Sequence, residues 1–365
     1  MCSGGLPGFL LDDGERRWVI KTVLITGCAG FVGRHLASEL RAAGIKAVGL
    51  DVAETDVSLP TVRGSIEDVE AIDEAVERFR PGAVVHLAGI ASVPRAAADP
   101  ARAFRINAEG TLHLLDILTR RQPKTRVLVV SSAQVYGESG GMRPYTEDDA
   151  PRPASIYALT KTAAEVVTRY YADRHAWPAM IARPVNHIGP GQSTDFVVPS
   201  FAAQLAEIAT GRREPVIRVG NLESTRDFSD VRDIVRGYRL LLERGEPGST
   251  YNLASGGVWS VREILERLCE IAGVRPRVVK DPARYRPADT GPQLDTSRIQ
   301  RDIGWRAEIP IEKTLRDVYE EAFRRVNLKA PQPESPVQKK GSDSRPRLPD
   351  EVRQRRGDQE NQHGP

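Results

Sequence analysis

Residues 22–33 read TVLITGCAGFVG. A short apolar run, Val23 to Ile25, leads into three glycines, and helical periodicity follows from Phe31 to Ala43, with Gly44 suited to the position just past a helix end. Strand, glycine loop and helix in this order make an anion site. Glycines let the backbone turn sharply and approach a diphosphate, and the helix N-terminus favours its charge. The spacing is GxxGxxG, one residue longer than the usual dinucleotide fingerprint. Gly27, Gly30, Phe31, Val32 and Gly33 are therefore expected to hold a dinucleotide. Asp51 ends the next apolar run, 24 residues after Gly27. A carboxylate there accepts hydrogen bonds from both ribose hydroxyls of an adenosine. It repels a 2′-phosphate by about 1 kcal/mol in water, and by about 4 at an effective dielectric constant near 20. The expected cofactor is NAD(H) or NADP(H), with NAD(H) favoured, and Arg34 offsets part of that preference.

Further along, Ala47–Leu50, Ala83–Ala88, Val127–Val130 and Ala179–Ala182 are apolar but for His86, and a helix is expected over 101–121. Continuous apolar strands separated by helices predict a parallel sheet covered on both faces. After Pro184 the texture shifts to Gly, Pro and Arg, with helices expected over 201–209, 231–242, 261–271 and 311–323. The expected organisation is a disordered N-terminus (1–18), a nucleotide-binding domain (19–185) with interleaved later strands near 216–255, a substrate domain (186–327) and a disordered tail (328–365). The tail carries six prolines and no Ile, Phe, Trp or Tyr, too little apolar surface to offset its ordering entropy.

Composition narrows the class. The chain has 365 residues, 40% hydrophobic and 28% charged, with net charge +3. No basic stripe points to nucleic acid, and no apolar stretch approaches the ~20 residues that span a bilayer. Three scattered cysteines suit neither a disulfide framework nor a zinc cluster, so no metal is expected and a cytoplasmic setting is.

Tyr157 and Lys161 are four residues apart at the start of a predicted helix, which puts them on one face. A cation beside a phenol favours the phenolate and suits acid/base work. With TGCAGFVG, HLAG (86–89), INAEGT (106–111), SSAQVYG (131–137) and YALTK (157–161) in this order, residues 20–325 resemble the extended short-chain dehydrogenase/reductase family. The resemblance implies a Rossmann-type doubly wound parallel sheet of seven strands and a smaller, mostly helical domain for a nucleotide-sugar. It implies Ser132, Tyr157 and Lys161 as catalytic residues. Ser65, Ile66, Leu87, Ala88, Gly89 and Pro184 join the cofactor contacts, although the family usually has Asp where Ser65 stands. A homodimer is also implied.

Gln134 then decides among reactions. Family dehydratases carry Glu at this position, often preceded by Asp, because expelling water needs a base and an acid. Here Ala133 and Gln134 stand instead. What remains is hydride transfer coupled to one proton, as in a ketone reductase or an epimerase. ARPVNHIGPGQ (182–192), VGNLESTRDFSDVRD (219–233) and DPARYRPAD (281–289) are similar to the branch of the family that handles GDP-mannose-derived sugars. That likeness implies reduction of the 4-keto group of a GDP-6-deoxy-hexose, with Asn186, Arg226 and Arg286 on the substrate and His187 as packing. An epimerase, a dehydratase and a non-enzymatic dinucleotide or sugar-nucleotide sensor are the competing readings.

Overall fold

The computed structural model describes residues 9–12, 15–55, 58–137, 143–284 and 290–328, with backbone alone for 9–16. Seven strands form one sheet: β1 Thr22–Thr26, β2 Lys46–Asp51, β3 Thr61–Arg63, β4 Ala83–His86, β5 Arg126–Val130, β6 Ala179–Pro184 and β7 Thr250–Leu253. All neighbours run parallel, in the spatial order β3-β2-β1-β4-β5-β6-β7. This is the doubly wound Rossmann arrangement with a seventh strand added. Strand order reverses between β1 and β4, so a crevice opens at their carboxyl ends, where ligands bind in such sheets.

Strand alternation explains the two cores. Val23, Ile25, Leu128 and Val130 point to one face, where they are buried with Leu36, Leu40, Tyr238 and Leu241 of the helices Phe31–Ala42 and Val231–Arg244. Leu24, Val127 and Val129 point to the other, against Ile72, Leu114 and Leu118 of the helices Val69–Phe79 and Gly110–Arg121. Both faces being covered, the middle positions of the central strands, Val23–Ile25, Val84–Val85 and Val127–Val130, are apolar on both sides. A third cluster gathers Phe201, Leu205, Ile264, Leu268, Leu315 and Val318, and so joins the helices Val197–Ala209, Val261–Ala272 and Ile311–Leu328. Because β7 and the helix Val231–Arg244 lie beyond residue 186, the two parts interleave, and residues up to Leu328 form one compact unit.

Two details differ from the sequence reading. The chain is ordered ahead of Val19: Phe9–Asp12 pairs antiparallel with Glu15–Trp18. The Arg126 guanidinium lies 4.6 Å over the Trp18 ring, and Arg17 pairs with Glu243 at 3.1 Å, which ties this hairpin down. The helix expected over 101–121 is broken by a π-helical turn at Arg105–Glu109. The tail beyond Leu328 lies outside the described residues. Among those described, no helix is long and apolar enough to cross a membrane.

Candidate active site

A cleft of about 1280 Å³ opens at the carboxyl ends of the strands. Gly27, Gly30, Phe31, Val32 and Gly33 line it, with Asp51, Ser65, Ile66, Leu87, Ala88, Gly89 and Pro184. Gly27 has φ +76°, and its N–H donates to the Leu50 carbonyl at 2.9 Å. A Cβ on Gly33 would stand 2.4 Å from the Gly27 carbonyl oxygen, so only glycine lets the helix start this close to the turn. The resulting bare backbone is a cradle fitted to a diphosphate. Asp51 accepts from the Ala29 N–H at 2.8 Å and from the Ala53 N–H at 3.0 Å. It therefore braces the loop as well as facing the cleft. Cys28, within the loop, is fully buried, and burial pushes its thiol up to about 11.

Ser132, Tyr157 and Lys161 meet in the same cleft, all buried. Ser132 follows β5 and caps the short 3-10 turn Ala133–Tyr136, accepting from the Gln134 N–H at 3.2 Å. Ser155 caps the helix Ile156–His175, fixing where Tyr157 and Lys161 emerge. Burial raises the Tyr157 phenol above its ordinary value, against the lowering from its hydrogen bond to Ser132. The sequence reading had Lys161 lowering it. Instead, the Lys161 Nζ donates to the Val130 carbonyl at 2.8 Å. Burial brings the Lys161 ammonium down to about 8, with Glu165 opposing. A phenol held protonated at neutral pH is a proton donor, the form a carbonyl reduction uses.

The sequence reading missed the groups that hold these three. Glu165 accepts from Ser131 Oγ at 2.6 Å, and from Arg183 Nε at 2.9 Å and Nη2 at 2.6 Å, all fully buried or nearly so. Burial alone would raise the Glu165 carboxyl; the Arg183 guanidinium outweighs it and keeps it below the usual range. Asn107, in the π-helical turn, accepts from the Ile90 N–H at 2.7 Å and donates to Thr160 Oγ1 at 2.9 Å. His86 lies between Thr26 Oγ1 (2.7 Å from Nδ1) and Thr111 Oγ1 (3.0 Å from Nε2). Thr111 spends its own proton on the Asn107 carbonyl, so the His86 Nε2–H donates to it and Nδ1 accepts from Thr26. Burial, then Lys161, brings His86 down to about 3, so it is neutral. The one available signal was the spacing of Glu165, four and eight residues after Lys161 and Tyr157 on one helix face.

The other end of the cleft is lined by Asn186 and His187, and by Arg218, Arg226 and Arg284. Asn186 stands opposite Phe228 in a parallel strand pair. His187 donates from Nδ1 to the Val185 carbonyl at 3.0 Å and stacks on Phe31, with 6.3 Å between ring centroids. Arg286 lies outside the described residues. Gln134 lines the cleft and Ala133 is buried beside it. The described carboxylates of the cleft are Asp51 and Glu67 beside Ser65, Asp195 on an exposed loop, and Asp227. Asp227 is committed to Ser255 Oγ at 2.8 Å and the Gly256 N–H at 2.7 Å.

Comparison with known proteins matches residues 24–318 to the family model described as GDP-mannose 4,6 dehydratase. The chain belongs to that family, within the extended short-chain dehydrogenases/reductases. It is an NAD(P)-dependent oxidoreductase. A relative from Pseudomonas aeruginosa, GDP-6-deoxy-D-mannose reductase, is 37% identical over 306 residues, 83% of this chain and 98% of the relative. The solved structure of RMD from the same organism, complexed with NADPH, superposes with TM-score 0.75 at 35% identity, covering 84% of this chain and 99% of that one. A UDP-glucose 4-epimerase from Thermus thermophilus, in complex with NAD, gives TM-score 0.74 at 28% identity, covering 82% and 98%. The nicotinamide dinucleotides in these neighbours match what the glycine cradle implies.

Proposed function

We propose that the chain reduces the 4-keto group of GDP-4-dehydro-6-deoxy-D-mannose to give GDP-D-rhamnose. The observation that carries this reading is a buried Ser132, Tyr157 and Lys161 beside an amide at Gln134. Such a site can move one proton at a carbonyl oxygen, but the position that would expel water does not titrate. When bound, NAD(P)H supplies the hydride that adds to sugar C4. Tyr157 gives its proton to O4, and Ser132 hydrogen-bonds the same oxygen. Lys161 holds positive charge near the phenolate that this leaves, stabilising it electrostatically. The cradle Gly27–Gly33 and Asp51 take the dinucleotide, with Ser65 and Ile66 toward its adenine and Leu87, Ala88, Gly89 and Pro184 along its length. Asp51 favours NADH over NADPH through its repulsion of a 2′-phosphate. Asn186, Arg226 and Arg286 take the diphosphate and ribose of the sugar nucleotide, where planar guanidinium forks pair bidentately with phosphate oxygens. The name of the Pseudomonas relative supports the guanine and the 6-deoxy sugar.

A cytoplasmic homodimer completes the reading. Leu159, Val166 and Tyr170 recur at helical spacing and are 46%, 60% and 61% exposed, an apolar stripe suited to a second copy. The test supplies GDP-4-keto-6-deoxy-mannose with NADH or NADPH, follows oxidation of the cofactor, and identifies the product sugar by NMR. Stoichiometric oxidation with a D-rhamno product is expected. No oxidation, or conversion of GDP-mannose with NAD into a 4-keto sugar, overturns it.

A further inference from the structure

Tyr238 sits in the middle of the helix Val231–Arg244, is fully buried, and lines the cleft. Its hydroxyl has no hydrogen-bond partner among the described residues, although its ring packs in the core that includes Val130 and Ala182. Phe31 of the glycine loop packs against that same core. The helix is anchored at its first turn beneath this loop: a Cβ on Gly189 would meet Val231 Cγ1 at 2.6 Å and Phe31 Cζ at 3.6 Å. Tyr238 follows Val231 by seven residues, two turns on and on the same helix face. The helix runs on to the start of β5, where Arg126 donates to the Leu241 and Gly245 carbonyls, so Tyr238 lies between that end of the sheet and the cleft it lines. Burial, then the nearby Tyr157 phenol, raises the Tyr238 phenol, so it is a neutral donor. A buried hydroxyl left unpaired is costly, a cost that a bound acceptor removes.

We propose that Tyr238 is a cofactor-binding residue, whose hydroxyl donates a hydrogen bond to an oxygen of the dinucleotide in the half from the diphosphate to the nicotinamide. The proposal rests on the assignment of this end of the cleft to NAD(P)(H). Binding of NADH or NADPH by the unaltered enzyme tests that assignment by itself. The test of the residue is Tyr238→Phe, which removes one oxygen and keeps the ring that fills the core. Dissociation constants for NADH, NADPH, ADP-ribose and 5′-AMP are measured by fluorescence or calorimetry, and thermal melting is followed without ligand.

The variant is expected to bind NADH and NADPH about three- to tenfold more weakly, the worth of a neutral hydrogen bond. Its affinity for 5′-AMP, which carries only the adenosine end, is expected to be unchanged, and its melting temperature unchanged or higher. Equal weakening of ADP-ribose places the acceptor on the diphosphate or its distal ribose, and an unaffected ADP-ribose places it on the nicotinamide; both support the proposal. A merely structural hydroxyl gives the reverse pattern. Unchanged affinity for both dinucleotides, or equal weakening of 5′-AMP, overturns it.

Discussion

Lys161 shows how one side chain sets a working range. Burial holds its ammonium at about 8, so the charged form is full below that value and is lost as pH rises through it. In the proposed reduction that cation stands beside the phenolate formed when Tyr157 gives up its proton. The rate of carbonyl reduction is therefore expected to fall above pH about 8, as a pH profile of kcat/KM will show. Lys161→Met is expected to lose about 100-fold or more in kcat, the usual scale of acid/base assistance. The stability effect has the opposite sign. A lysine whose folded pKa lies below its unfolded value of 10.5 makes the fold less stable as pH falls from there to about 8, and flat below. Lys161→Met is thus expected to melt no lower than the unaltered protein at neutral pH. Tyr157, Lys161 and the glycines were legible because their chemistry needs those residue types at fixed spacing. Asn107, Glu165 and Tyr238 were not, since each sits in a helical pattern where polar and aromatic residues are ordinary and only the third dimension gives them partners.

At the scale of an element, the helix Ile156–His175 and strand β6 are locked together by a charge pair buried on both sides. Glu165→Ala leaves the Arg183 guanidinium and the Ser131 hydroxyl without their shared acceptor. The expected loss is about 3–5 kcal/mol in urea unfolding, as for removing one partner of a buried ion pair. A loss under about 1 kcal/mol would show that this contact does not fix the helix. The glycine loop makes a sharper case. Gly33→Ala puts a methyl 2.4 Å from the Gly27 carbonyl oxygen, and the loop must open. NADH binding is expected to weaken by at least about tenfold by calorimetry, or about 1.4 kcal/mol. Five strands could be read from sequence because both faces are buried and the runs are apolar almost throughout. β3 could not, and β7 was expected only within a broad span: Thr61–Arg63 and Thr250–Leu253 are short and mixed in character, and hold their conformation by pairing with β2 and β6.

For the whole molecule, the stripe Leu159, Val166 and Tyr170 makes assembly testable. Val166→Lys with Tyr170→Glu is expected to turn a dimer into a monomer in sedimentation velocity, leaving cofactor affinity within about twofold because both side chains face away from the cleft. A monomeric unaltered protein would remove that surface from consideration. The outline of the fold, its cover of helices and the order of its nucleotide-binding motifs were present in the sequence. The return of the chain to the sheet was expected only as strands near 216–255, and of these just Thr250–Leu253 joins it.

That return has a consequence for how such an enzyme can be divided or diversified. A fragment stopping at residue 185 would keep the glycine loop, Ser132, Tyr157 and Lys161, yet would leave β6 an open edge and strip one side of the sheet of the helix Val231–Arg244. Grafting a foreign sugar-recognising half onto it is therefore not a matter of joining modules at a seam. New specificity has to be gained in the connecting loops, while the polypeptide keeps passing back through its own foundation.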